Sequence, residues 1–120
     1  MSLQEELLSF ANSVGDMFRR RVAETPDGLA FLDPDRAPEG PNQWTRYTWA
    51  ESRLLVDQLA AGLLARGLSR EQRVGIISTT RLEWILLDLA VACAAGATTT
   101  VYPNTAAGDV EFILDNSGTC

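Results

Sequence analysis

The sequence predicts an α/β fold: the N-terminal part of a three-layer α/β/α domain, with a right-handed βαβ unit in a mostly parallel sheet. Three observations carry this. The segment Arg73–Ser78 holds Val74, Gly75, Ile76 and Ile77 in an unbroken run, the pattern of a parallel strand covered on both faces. The stretch from Arg81 to Ala95 is apolar nearly all round (Leu82, Trp84, Ile85, Leu86, Leu87, Leu89, Ala90, Val91, Cys93), so a helix there must be buried on several sides. Thr98–Tyr102 is rich in β-branched residues and reads as a second strand, which Pro103 stops. Strand, long helix, strand is a crossover unit, and such crossovers are almost always right-handed.

The elements before this unit follow in order. Leu7, Ala11, Val14, Phe18 and Val22 recur at spacings of three and four, which places them on one helix face. Gly15 weakens the middle and moves the expected start toward Ser13. Thr25-Pro26 ends the helix, because the residue before proline avoids helical geometry. Leu29–Asp33 and Trp44–Tyr47 read as the two strands of a hairpin. The connection between them, residues 34–43, carries Pro34, Pro38, Gly40 and Pro41 and is expected to be a flexible surface loop.

Thr48 and Glu51 make a capping box that opens the next helix. Val56, Leu59, Ala60 and Leu63 form its apolar stripe, Arg53 and Asp57 pair on the outside, and Gly67 is placed for a left-handed C-terminal cap. Thr80 and Glu83 repeat the capping-box pattern before the apolar helix, which Gly96 is expected to end. A last helix is expected from about Ala106 to Asn116, with Val110, Ile113 and Leu114 inside and Gly118 as its cap. The strand it leads to would begin at Thr119 and Cys120, so the sheet is expected to be incomplete and residues 1–120 to form a single partial domain.

Composition narrows the chemistry. The chain has 120 residues, 46% of them hydrophobic, and a net charge of −6. That content supports a packed core, and the negative field disfavours nucleic-acid binding. All ten basic residues are arginine. With no histidine or lysine, the usual general base, the commonest metal ligand and the phosphate-loop ammonium are missing. Cys93 and Cys120 have no CxxC or Cys/His neighbour, so metal binding has no support, and a reduced, cytoplasmic setting is the simpler reading. The apolar run Trp84–Ala97 is interrupted by Asp88 and too short to span a bilayer.

Few segments could carry a site. No G-x-G-x-x-G follows the strand at Val74–Ser78, and no G-x-x-x-x-G-K-[ST] occurs. Ser78-Thr79-Thr80-Arg81 joins that strand to a helix N-terminus; Thr79, Thr80 and Arg81 could contact an anion there, against the plainer reading of a capped helix start. Trp84 and Tyr102 could line an apolar pocket, although such residues more often fill a core. Arg19-Arg20-Arg21 complements the C-terminal end of a helix dipole better than it marks an anionic-surface patch. Asp33/Asp35 and Asp109/Glu111 read as loop solubility and helix-start charge rather than a catalytic dyad.

Tyr47-Thr48-Trp49 with Glu51, then Leu59-Ala60-Ala61-Gly62-Leu63, resembles the first core motif of the AMP-forming acyl-CoA synthetase and adenylation superfamily. Arg73-Val74-Gly75-Ile76 resembles its first buried strand. Ala95-Gly96-Ala97 through Val101-Tyr102-Pro103 resembles its second core motif, and Asp109–Gly118 the helix after it. Thr80-Arg81-Leu82-Glu83-Trp84 resembles a segment typical of long-chain fatty acid–CoA ligases. Thr25-Pro26-Asp27 and Ala30-Phe31 fit the usual opening.

The resemblance implies a parent enzyme that activates a fatty acid with ATP and Mg2+, through an acyl-adenylate, and passes the acyl group to coenzyme A. It also implies that the phosphate loop, the adenine- and ribose-holding motifs and the catalytic lysine lie downstream. No catalytic, cofactor-binding or metal residue is therefore expected within these 120 residues, and the segment alone is expected to be inactive. Peripheral membrane association and a homodimer are carried as expectations for the parent. Two rivals stay open: a related ligase that loads a carrier protein, and a non-catalytic interaction module of the same fold.

Overall fold

A computed structural model describes residues 2, 3, 5, 9, 11–34 and 43–120. Leu7 and most of the loop expected over 34–43 lie outside the described residues. Helix α1 runs Val14–Glu24 from an N-cap at Ser13, whose Oγ accepts from Asp16 N at 3.0 Å. Gly15 is buried in its first turn, and the reason is tertiary. A Cβ there would stand 3.1 Å from Ala92 O and 3.2 Å from Cys93 Cα, so the missing side chain lets two helix backbones approach.

Strands β1 (Leu29–Asp33) and β2 (Thr45–Thr48) form the expected antiparallel hairpin, with Phe31 opposite Tyr47 and Asp33 opposite Thr45. Helix α2 (Trp49–Ala65) starts on the predicted capping box: Glu51 N donates to Thr48 Oγ1 at 3.1 Å and Thr48 N to Glu51 Oε2 at 3.0 Å. Its buried face is Ser52, Val56 and Ala60, with Leu63 half-buried; Leu59 falls outside it. Ser52 tolerates burial because its Oγ donates to Thr48 O one turn back, at 2.8 Å. The helix ends in a Schellman motif: Gly67 has φ 98°, Gly67 N donates to Leu64 O, and Leu68 N donates to Leu63 O.

Strand β3 (Arg73–Ile77), helix α3 (Leu82–Cys93) and strand β4 (Ala97–Val101) make the predicted crossover, and the two strands are parallel, Arg73 beside Ala97 through Ile77 beside Val101. No residue of α3 is exposed, as its sequence requires. The Thr80/Glu83 capping box does not form. The N-cap is Arg81, so Glu83 sits at the second helical position, one short of the reach a box needs. Glu83 Oε2 instead accepts from Arg81 Nε at 2.8 Å.

The end of α3 differs too. The left-handed residue is Ala95, at φ 61°, with Gly96 N donating to Val91 O. Gly96 serves packing: a Cβ there would lie 3.1–3.2 Å from Val91 Cγ1, Gln72 O and Leu68 Cδ2.

Helix α4 (Ala107–Ser117) ends at Gly118, φ 68°, as expected. Val110, Ile113 and Leu114 are half-buried, and no residue of α4 is fully buried. Thr119 then makes a single parallel bridge to Arg73, and Cys120 N donates to Arg73 O at 3.1 Å. The chain thus returns across β3 and begins to pair on the edge away from β4.

The core gathers Phe18 and Val22 of α1, Val56 and Ala60 of α2, and Leu82, Leu86 and Ala90 of α3, with Ala94. Trp49 ties the hairpin to it, its ring 6.3 Å from Phe18 and 5.9 Å from Phe31 between centroids.

The helices lie on opposite faces of the sheet. Gly75 faces Leu114 of α4 and Thr119, each within 3.2 Å of a built Cβ. Side chains alternate along a strand, so Val74 faces the other way. There it lines a cavity with Leu63 and Leu68, and Leu68 meets Val91 of α3 over Gly96. The two crossovers run in opposite directions from opposite faces, and so share one hand. Only Ile76 of β3 is buried and Ile77 is 52% exposed, so the expected two-faced burial of β3 is incomplete.

Candidate functional site

The loops leaving β3 and β4 depart to opposite faces. Open α/β sheets commonly bind ligands at the carboxyl ends of strands connected in this way. Residues 78–81 leave β3 and residues 102–106 leave β4, beginning side by side after the paired Ile77 and Val101.

Sequence-predicted residues from two separate segments lie on these two loops. Thr79, Thr80 and Arg81 are exposed on the first loop, where Ser78 Oγ donates to Thr79 O at 2.9 Å. Tyr102 begins the second loop and is 82% exposed, so it fills no core. Thr105 N donates to Tyr102 O at 3.0 Å and closes that loop into a turn. Neither α3 nor α4 has a side-chain cap hydrogen bond at its N-terminus. Trp84 is half-buried in the first turn of α3 and lines neither of the two cavities flanking that turn.

The first cavity, about 190 Å³, lies between Phe31, Leu32, Asp33 and Pro34 on one side and Thr80, Arg81, Leu82 and Ile85 on the other. Asp33 is only 2% exposed, which corrects its reading as a solubilising loop residue. Asp35 lies outside the described residues; Asp109 and Glu111 are exposed near the start of α4, as expected. The second cavity, about 290 Å³, is an apolar cleft between α2 and α3 lined by Tyr47, Leu55, Leu59, Leu82 and Leu86. Sequence reading missed it. Leu55 and Leu59, four apart on α2, are the available signal.

The electrostatics argue against a phosphate-holding role. Arg81 is engaged by Glu83, and the buried Asp33 lines the same cavity as Arg81. With Arg81 already paired to Glu83 and no lysine in the chain, this arrangement is poorly suited to a bare phosphate group.

The Arg19–Arg21 run is also spoken for. Arg20 pairs with Asp16 at 3.0 Å and Arg21 with Glu24 at 3.1 Å. Arg19 reaches from α1 to Asp57 of α2 at 3.0 Å, and Arg53 meets the same carboxylate at 3.4 Å. Cys93 stands beside this group. Burial pushes its thiol above the ordinary range, partly offset by the Arg19 charge, which makes it a packed thiol rather than a nucleophile. Cys120 is exposed, and its Sγ donates to Arg73 O at 3.2 Å. Among the described residues no group of three or more His, Cys, Asp or Glu side chains gathers, and no helix is long and apolar enough to cross a membrane.

The parallel crossover, the capped α2 and the order of elements define a class. Residues 18–120 match the family model of the AMP-binding enzymes, and the chain belongs to that family. Among individual proteins, it is 35% identical over 74 residues to the long-chain-fatty-acid–CoA ligase FadD15 of Mycobacterium bovis, covering 62% of this chain and 12% of that protein. It is 29% identical over 114 residues to long-chain-fatty-acid–CoA ligase 6 of Mus musculus, covering 92% of this chain and 16% of the relative. A solved fatty acyl CoA synthetase of Mycobacterium tuberculosis superposes with a TM-score of 0.76 at 26% identity, over 89% of this chain and 20% of that one. The chain therefore spans less than a quarter of the length of these relatives.

Proposed function

We propose that the chain is the start of the large N-terminal domain of an ATP-dependent, AMP-forming long-chain fatty acid–CoA ligase. The observation that carries this is the family match over residues 18–120, joined by relatives whose names are those of CoA ligases. In the parent, a fatty acid carboxylate oxygen attacks the α-phosphorus of ATP and pyrophosphate leaves. The thiol of coenzyme A then attacks the acyl carbon, and AMP leaves as the thioester forms. Magnesium, when bound in the parent, neutralises phosphate charge.

The residues of this chain act earlier in the causal order. The Phe18–Val56–Leu86 core and the β3–β4 pair give the parent's sheet a rigid start, and Thr119 begins its next strand on the free edge of β3. Fatty acyl substrates partition into bilayers, so peripheral membrane contact belongs to this reading, as do a cytoplasmic location and a homodimer. Transfer to a carrier protein is the rival reading, and the CoA-ligase names of the relatives favour the first.

The test is an assay of the complete natural polypeptide for fatty acid-dependent AMP release with coenzyme A. Turnover is expected with long-chain acids, and none from residues 1–120 alone. Absence of AMP release at every chain length would overturn the proposal; release only with a phosphopantetheinylated carrier would replace it with the rival.

A further inference from the structure

The backbone of β3 offers a docking edge. Along a paired strand, the N–H and C=O groups of alternate residues turn to opposite edges. Ala97 N donates to Gln72 O at 2.9 Å, so Gln72, Val74 and Ile76 turn theirs toward β4. Cys120 N donates to Arg73 O at 3.1 Å, so Arg73, Gly75 and Ile77 turn theirs to the other edge. Among the described residues, the bridge between Arg73 and Thr119 is the only pairing on that edge. Natural sheets blunt open edges with proline, charge or a bulge. The hairpin has such a break, a register shift between Leu29 and Phe31. From Val74 to Ile77 there is no proline, no charge and no break in register. An edge of this kind is a template for a further strand, and the Thr119 bridge already sets its direction as parallel.

The helical half does not wait for that strand, since α1, α2 and α3 close their core without it. One relative points the same way. The uncharacterized protein Rv1549 of Mycobacterium tuberculosis is 29% identical over 104 residues, which are 87% of this chain and 55% of that protein. In FadD15 the matching stretch is 12% of the whole. This part of the fold thus makes up the larger share of one short polypeptide. Main-chain hydrogen bonds along an edge need no covalent link between the strands they join.

We propose that residues 1–120 fold as a unit and associate with a second polypeptide that carries the remainder of an AMP-binding fold. That partner adds a parallel strand to the Gly75–Ile77 edge of β3. The proposal rests on family membership and on this edge, not on the acyl substrate.

In the test, the chain is co-expressed with the polypeptide encoded directly downstream of residue 120, made as a separate chain. Sedimentation is expected to show a complex with one copy of each. Amide hydrogen exchange at Gly75 and Ile77 is expected to slow by about tenfold or more against the chain alone. Ile77→Pro removes one donor from the open edge and leaves the bonds of Val74 and Ile76 to β4 in place. It is expected to weaken association by about tenfold or more, whereas Ile77→Val keeps the donor and stays within about twofold. An unfolded isolated chain, no complex, or a complex without added protection at Gly75 and Ile77 would overturn the proposal. So would a downstream sequence lacking the rest of the fold. A dimer of the chain alone that Ile77→Pro abolishes would give the edge to a second copy and overturn it as well.

Ile77 is 52% exposed at the end of its strand, so the isolated Ile77→Pro chain is expected to keep its melting temperature. If that temperature falls, hydrogen exchange in the unsubstituted complex decides alone. Association is read without turnover, so absence of fatty acid-dependent AMP release counts against the ligase reading separately.

Discussion

The two halves of the molecule are finished to different degrees. In the first, α1, α2 and α3 enclose a core whose members are almost free of solvent, and the hairpin is tied on through Trp49. In the second, β3 and β4 form a two-stranded sheet, α4 buries none of its residues completely, and Ile77, Tyr102 and Phe112 stand in water. The helical core closes because α1, α2 and α3 all meet on it, although α1 and α3 are far apart in sequence. A parallel sheet needs strands from further along the chain before both faces and edges are covered. The closed half gives rigidity, and the open half presents the loops that leave β3 and β4.

Substitutions of like chemistry in the two halves can break this comparison. The largest contrast is between two phenylalanines. Phe18→Ala in the closed half is expected to cost about 3–5 kcal/mol, whereas Phe112→Ala in the open half stays within about 0.5 kcal/mol. Denaturant unfolding measures both, and equal losses would show that α4 is packed after all.

Next come two helical glycines. Gly15→Ala pushes a methyl into the backbone of Ala92 and Cys93 and is expected to destabilise by about 1–3 kcal/mol. Gly62→Ala, with open space around it, should stabilise by about 0.5–1 kcal/mol through helix propensity. Melting temperatures moving in opposite directions would bear out the close approach of α1 and α3.

The third pair is the two threonines of the two capping patterns. Thr48→Ala removes a working box at a cost of about 1 kcal/mol, and Thr80→Ala changes stability by less than about 0.5 kcal/mol. A large loss at Thr80 would restore the box that the geometry lacks. The smallest effect is expected at the end of α3. Ala95→Gly relieves a left-handed alanine and should stabilise by about 0.5 kcal/mol in the same unfolding measurement.

Most elements were legible because their signals are local. Thr48 with Glu51, Gly67 and Gly118, the proline after Thr25, and the unbroken Val74–Ile77 run each act within a few residues. The failures have a common cause. Thr80 with Glu83 reads as well as Thr48 with Glu51, but α3 starts one residue later than the pattern assumes, at an N-cap of Arg81 whose side chain pairs with Glu83. Gly15 and Gly96 were readable as helix weakener and helix end; both are contact points between elements distant in sequence. Leu59 belongs to the apolar stripe by periodicity and to a cleft in space. Asp33 has the composition of a loop and the burial of a core residue.

The candidate site divides in the same way. That Thr79, Thr80, Arg81 and Tyr102 could touch a ligand follows from residue type and from the elements they flank. That the loop of the first three stands beside the loop of Tyr102, at one end of the sheet, and that Arg81 is already paired, follows from the fold. The sequence determined the elements and their order, since capping, turns and periodicity are set by near neighbours. Tertiary structure alone decided which helix covers which face of the sheet and which glycines are contacts. Those depend on groups that meet only after the chain has crossed its sheet twice.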